Sequence, residues 1–147
     1  MRAGGSRRAR TSNRIRHAPE ALPPARPLKD RVGAAGEAAA LAYLREQGFR
    51  ILHRDWRSRI GQADIVAEDG DILVLIEVKA RRGTGFGLPE EAVDGRKQQK
   101  LRVLLETYRA ATKRQRQPCR IDVLGLILDA DMKVTRTEHI RNAVGEE

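Results

Sequence analysis

At 147 residues the chain is long enough for one domain of ordinary size, and its formal charge of +9 favours a polyanionic partner, nucleic acid first among them. The single cysteine, Cys119, excludes an intrachain disulfide, and His17, His53 and His139 lack the spacing of zinc ligands. No apolar run reaches the length of a membrane span, so a cytoplasmic protein without a membrane partner is expected.

Residues 1–30 carry eight basic and two acidic side chains, so six of the nine excess charges sit there. This stretch lacks periodicity and ends in Leu22-Pro23-Pro24-Ala25-Arg26-Pro27. A disordered basic arm is therefore predicted ahead of a folded domain over 31–147. Over 32–47 the pattern is helical: Leu41 and Leu44 share a face with Ala34 and Ala38, and Gly48 supplies the stop. Glu37 falls on that same packing face, an unusual place for a carboxylate. Strands are predicted at 49–57, 63–67 and 72–79, with Asp69-Gly70 as the two-residue turn between the last two. Gly83, Gly85 and Gly87 mark a flexible loop without the spacing or lysine of a nucleotide-binding loop. Asp94 can cap a helix over 95–111, with Leu101, Leu104, Leu105 and Tyr108 as its buried stripe. A strand at 121–128 follows, then a short edge strand at 133–137. Cys119 reads as a small packed residue beside a strand, and Trp56 and Phe86 as core or loop anchors. The order α-β-β-β-α-β predicts an α/β fold, a mixed β-sheet flanked by helices.

The predicted hairpin brings chemistry together. With Asp69-Gly70 in the turn, Glu68 faces Asp71, Asp64 faces Leu75 and Gln62 faces Glu77. Leu73, Leu75, Glu77 and Lys79 share one face because side chains alternate along a strand. Asp64 then lies diagonal to Glu77, about 7–8 Å away between Cα atoms, with the side chains in reach of each other. Two carboxylates so placed can hold one hard cation, and Mg²⁺ suits them because it takes one or two carboxylates plus water and phosphate oxygens. The same residues also read as a strand end fraying into solvent, and Glu37 as a first-turn acid favoured by the helix dipole. Without a cation the two acids repel, so neutralising either is expected to hold or slightly raise stability.

Gly33-Ala34-Ala35-Gly36-Glu37-Ala38-Ala39-Ala40, Tyr43-Leu44, Gly48-Phe49-Arg50-Ile51-Leu52 and Asp55-Trp56-Arg57 resemble the opening of the YraN family. The resemblance continues through Gly61, Asp64-Ile65-Val66-Ala67, Glu77-Val78-Lys79, Phe86-Gly87, Ala92-Val93, Lys97 and His139-Ile140-Arg141-Asn142-Ala143. That family is similar to the PD-(D/E)XK nucleases, archaeal Holliday junction resolvases in particular. The resemblance implies a restriction-endonuclease-like α/β fold in which Asp64, Glu77 and Glu37 bind Mg²⁺ or Mn²⁺. It makes Glu37, Asp64, Glu77 and Lys79 the catalytic set, with the Val78 carbonyl as a further ligand. One position departs: the family usually reads Gly-Glu-Ile-Asp where this chain has Gly61-Gln62-Ala63-Asp64.

The function so implied is Mg²⁺-dependent endonucleolytic hydrolysis of nucleic-acid phosphodiesters, on branched or structured DNA. Lys79 would hold the nucleophilic water and offset transition-state charge. Arg57, Arg59, Arg81, Arg82, Lys97 and Lys100 are candidates to line a phosphate track, although each alone reads equally as a solvated charge. With aromatics at 3% of the chain, base stacking is not the expected mode of binding. The alternatives are a non-catalytic nucleic-acid-binding module on the same fold and an adaptor that recruits a protein through the basic arm. A homodimer would match a two-fold symmetric substrate, though no dimer surface is legible in the chain.

Overall fold

The computed structural model describes residue 4 and residues 27–83 and 94–145. Most of the predicted basic arm, and the loop holding Gly85, Phe86 and Gly87, lie outside the described residues. The elements are α1 (Leu28–Glu46), β1 (Arg50–Ser58), β2 (Gly61–Asp69), β3 (Ile72–Arg82), α2 (Gly95–Ala111), β4 (Cys119–Leu128) and β5 (Val134–Ile140). The strands form one mixed sheet in the order β1-β2-β3-β4-β5. Only β3 and β4 run parallel, joined through α2; the other neighbours are antiparallel. This is the predicted α-β-β-β-α-β order followed by the expected edge strand, an α/β nuclease-like arrangement.

Helices cover both faces, so the middle strands carry apolar side chains on both sides. On one face Leu41 and Leu44 of α1 pack with Phe49, Ile65, Ile76 and Leu124; on the other Leu104, Leu105 and Tyr108 of α2 pack with Val66, Leu73 and Leu75. The predicted stripe of α2 is its observed buried set, and the Asp94 side chain accepts from Lys97 N at 2.8 Å as the cap. Tyr108, fully buried, bonds His53 Nδ1 through its hydroxyl at 2.7 Å and receives the edge of Trp56. Cys119 opens β4, half-buried against the α2 cluster.

Helix α1 departs from the expectation in two ways. It starts at Leu28 rather than residue 32, because its first turn is exposed and carries no apolar period to read. Ala34 and Ala38 are exposed, and the buried set is Gly36, Ala40, Leu41 and Leu44. Close approach selects that face. A Cβ on Gly36 would stand 2.3 Å from the Ala80 Cβ on β3. Ala80 has no rotamer that moves its methyl aside, so Gly36→Ala must push α1 off the sheet. Strain of this kind costs about 1–3 kcal/mol and outweighs the roughly 1 kcal/mol gained in helix propensity. Urea unfolding should show that loss, and the double variant Gly36→Ala/Ala80→Gly should recover most of it. Wild-type stability in the single variant would contradict the close contact.

The β2–β3 turn is Gly70-Asp71, not Asp69-Gly70: Asp69 pairs with Ile72, Glu68 with Leu73 and Ile65 with Ile76. Gly70 takes φ +59, and glycine at the first of two loop positions suits a type II′ turn. Moving the turn by one residue displaces each partner by two. Faces are therefore preserved while every predicted pair is wrong.

Candidate metal centre

The β2–β3 ladder ends at Ile65↔Ile76, where the strands diverge. Beyond that point the Val78 N–H, still on β3, has no partner on β2's backbone, and Asp64 Oδ2 accepts from it at 2.8 Å. Asp64 and Glu77 thus meet at the fork of the two strands. The expected diagonal geometry, with Asp64 opposite Leu75, is replaced by this closer arrangement, because Leu75 pairs with Val66. Gln62 is not beside Glu77 either. It pairs with Arg57 on β1, and its Nε2 donates to Asp55 Oδ1 at 2.8 Å.

Glu77 is buried, 5% exposed, in the middle strand of the sheet. One of its oxygens, Oε1, takes Lys97 Nζ at 3.0 Å and Lys79 Nζ at 3.4 Å. Burial pushes the Asp64 carboxyl up to about 6, and the Glu77 charge adds to it. The Val78 N–H bond, Lys79 and Lys97 oppose the rise without cancelling it. Asp64 is thus short of positive charge at neutral pH.

A cavity of about 630 Å³ opens beside this fork, between α1 and the sheet, lined by Glu37, Asp55, Asp64, Lys29, Lys79 and Arg82 among others. Glu37 is half-buried at the edge of the packed face, with Arg54 on β1 at 3.6 Å, beyond hydrogen-bonding distance. Its Oε1 is buried and has no hydrogen-bond partner among the described residues. An orphaned carboxylate oxygen and a second carboxylate with a raised pKa on one cavity wall fit a hard cation. The donor set suits Mg²⁺ or Mn²⁺ through two carboxylates, the remaining positions falling to water and phosphate. Among the described residues, no three acidic, histidine or cysteine side chains converge closely enough to form a complete cage.

The basic candidates divide. Lys97 is drawn into the centre by Glu77. Lys100 leans on the β1–β2 turn, its Cε 3.3 Å from where a Cβ on Gly61 would stand. Arg57 and Arg59 are exposed at that turn, Arg82 lines the cavity and Arg81 is half-buried beside it. Lys100 joins the start of α2 to the β1–β2 turn, and Arg82 belongs to the cavity instead.

A polar network on the α1 side of the sheet was not read from the sequence. Asp122 on β4, 0% exposed, accepts from His139 Nε2 at 2.8 Å, from Arg120 Nε at 2.9 Å and from Asn142 N at 2.9 Å. With Nε2–H given to the carboxylate, a neutral His139 leaves Nδ1 as acceptor, and the Tyr43 hydroxyl donates to it at 3.0 Å. Arg120 continues to Asp69 at 2.8 Å. Hydrogen bonds to Asp122 and Asp69 raise the Arg120 pKa despite the opposing effect of burial. The signal available in the sequence was one acid inside an otherwise apolar strand.

Residues 36–126 match the model of a family described as "Uncharacterised protein family UPF0102". A UPF0102 protein of Pelotomaculum thermopropionicum is 42% identical over 112 residues, covering 76% of this chain and 93% of its own length. One from Symbiobacterium thermophilum is 43% identical, over 79% of this chain and 98% of its own. A third, from Rhodococcus opacus, is 41% identical, over 76% and 94%.

Proposed function

The chain belongs to the UPF0102 family, the YraN family its motifs resemble, and we propose that it is a divalent-cation-dependent nuclease acting on DNA. The observation that carries this reading is the pair Asp64 and Glu77 at the fork of β2 and β3, with Asp64 raised to about 6 and two lysines on Glu77. Carboxylates and ammonium groups are rarely gathered at a buried strand end unless a charge is to be handled there.

Asp64 and Glu77 offer oxygen ligands to Mg²⁺ or Mn²⁺. A cation held there would polarise a phosphate oxygen and lower the pKa of a water. Lys79, on the cavity wall, holds the attacking water and offsets charge developing on the phosphate. Glu37 orients water through the oxygen that no hydrogen bond engages. Lys29, Arg82 and the basic residues at the β1–β2 turn draw the phosphate backbone to the cavity. A branched, two-fold symmetric DNA would call for a homodimer.

The reading is tested by a cleavage screen over branched, flapped, single-stranded and duplex DNA with Mn²⁺. The wild type should cut at least one class. Lys79→Ala should lose about 10²-fold or more in rate while still binding Mn²⁺. A second reading, a binding module that does not cut, is favoured by the lack of a third converging carboxylate among the described residues. DNA binding without cleavage of any substrate would select it.

A further inference from the structure

The ammonium nearest Glu77 does not come from its own strand. Lys97 reaches it from α2 at 3.0 Å and is the better shielded of the two lysines, with a side chain 27% exposed against 38% for Lys79. Its position does not serve the helix. The first turn of α2 contains no acid, and a cation there opposes the helix dipole. The Asp94 cap accepts from the backbone N–H of Lys97 itself, which fixes the root of this side chain. Lys79 is also among the residues that line the cavity, whereas Lys97 arrives from α2. Two ammonium groups, one from β3 itself and one from α2, therefore share one carboxylate oxygen.

We propose that Lys97 is a second catalytic lysine, held on Glu77 in the metal-free protein and turned to the substrate phosphate in the loaded one. The inference rests on the nuclease reading above. A carboxylate oxygen shared by two ammonium groups has little negative charge left to offer a divalent ion. Glu77 can offer Oε1 to the cation, and its full charge, only if one ammonium retires from it. Lys79 adjoins Glu77 on β3 and already faces the cavity. Lys97, on a flexible four-carbon stem, is free to swing while its capped backbone stays in place. Its ammonium can then neutralise a phosphate oxygen that gains charge as the diester breaks, beside the one Lys79 serves.

The test is calorimetric titration of Mn²⁺ into the full-length wild type, Lys97→Gln, Lys97→Arg and Lys100→Gln, with cleavage measured at saturating Mn²⁺. Lys97→Gln should bind Mn²⁺ several-fold more tightly and cut about 10²-fold more slowly. Lys97→Arg should bind like the wild type and keep part of the rate. Lys100→Gln, which removes an equal charge without touching Glu77, should bind Mn²⁺ like the wild type. Unchanged affinity and rate in Lys97→Gln would make Lys97 a structural ion pair. Weaker binding would mean that it braces the site and does not compete for Glu77. A wild type that binds no Mn²⁺ would remove the nuclease reading and this inference with it, an outcome distinct from the other two.

Discussion

Asp64→Asn should leave the metal-free protein at least as stable as the wild type at neutral pH, and should abolish stabilisation by Mn²⁺. The first half follows from linkage. The Asp64 carboxyl titrates near 3.8 when unfolded and at about 6 when folded. Between those values the folded state keeps a proton that the unfolded chain has released, so stability falls as pH rises through this window and stays reduced above it. Asparagine carries no such cost, and its Oδ1 still accepts from the Val78 N–H. Allowing for solvent screening, the gain at pH 7 is on the order of 1 kcal/mol, or a few degrees in Tm. It should shrink towards pH 4. The second half is mass action: a wild type in 100-fold excess over Kd gains about 2.7 kcal/mol, while the variant, lacking a ligand, gains little. Thermal melts at pH 4.5 and 7, with and without Mn²⁺, read both halves. Equal Mn²⁺ shifts in the two proteins would remove Asp64 from the metal site.

Glu77 does not mirror Asp64, although simple repulsion between two acids predicts equal behaviour. Asp64 is short of positive charge, whereas Glu77 carries two lysines on one buried oxygen. Glu77→Gln therefore loses two ion pairs and should destabilise the metal-free protein, which corrects the expectation drawn from the hairpin alone.

The largest loss of stability should follow Asp122→Ala. The carboxylate is fully buried and satisfies His139, Arg120 and the Asn142 backbone N–H together. Removing it strands all three, and breaking a buried charge network of this kind costs about 3–5 kcal/mol. That is a large share of the roughly 5–15 kcal/mol typical of a whole domain. The network matters because β5 is exposed along Val134–Thr137 and has little apolar packing to hold it. Asp122 ties β5 and the following turn to α1 through Tyr43 and to the end of β2 through Arg120 and Asp69. Urea unfolding gives the measure, with Tyr43→Phe as a milder comparison that loses about 1 kcal/mol. A loss below about 1 kcal/mol for Asp122→Ala would mean that water readily replaces the carboxylate.

What the chain determines locally, it determines well. The stripe and cap of α2 follow from apolar spacing and one aspartate, because helical period and capping depend on residues within a few positions of each other. The placement of Asp64 and Glu77 on adjoining strands follows from strand alternation, which survives the misplaced turn because a one-residue error displaces partners by two. The choice among faces and partners is different. Gly36 rather than Ala34 meets the sheet because Ala80 stands there, more than forty residues away in sequence. Lys97 reaches Glu77 because α2 packs across β2, β3 and β4, and a lysine in a helical first turn carries no mark of which carboxylate it will find. Asp122 is paid the same way, by His139 and Tyr43 arriving from the far edge and the opposite helix. Short-range periodicity fixes which side of an element is buried or polar. Only the packed sheet decides which charge meets which, because charges are matched across space once the backbone has brought distant strands together.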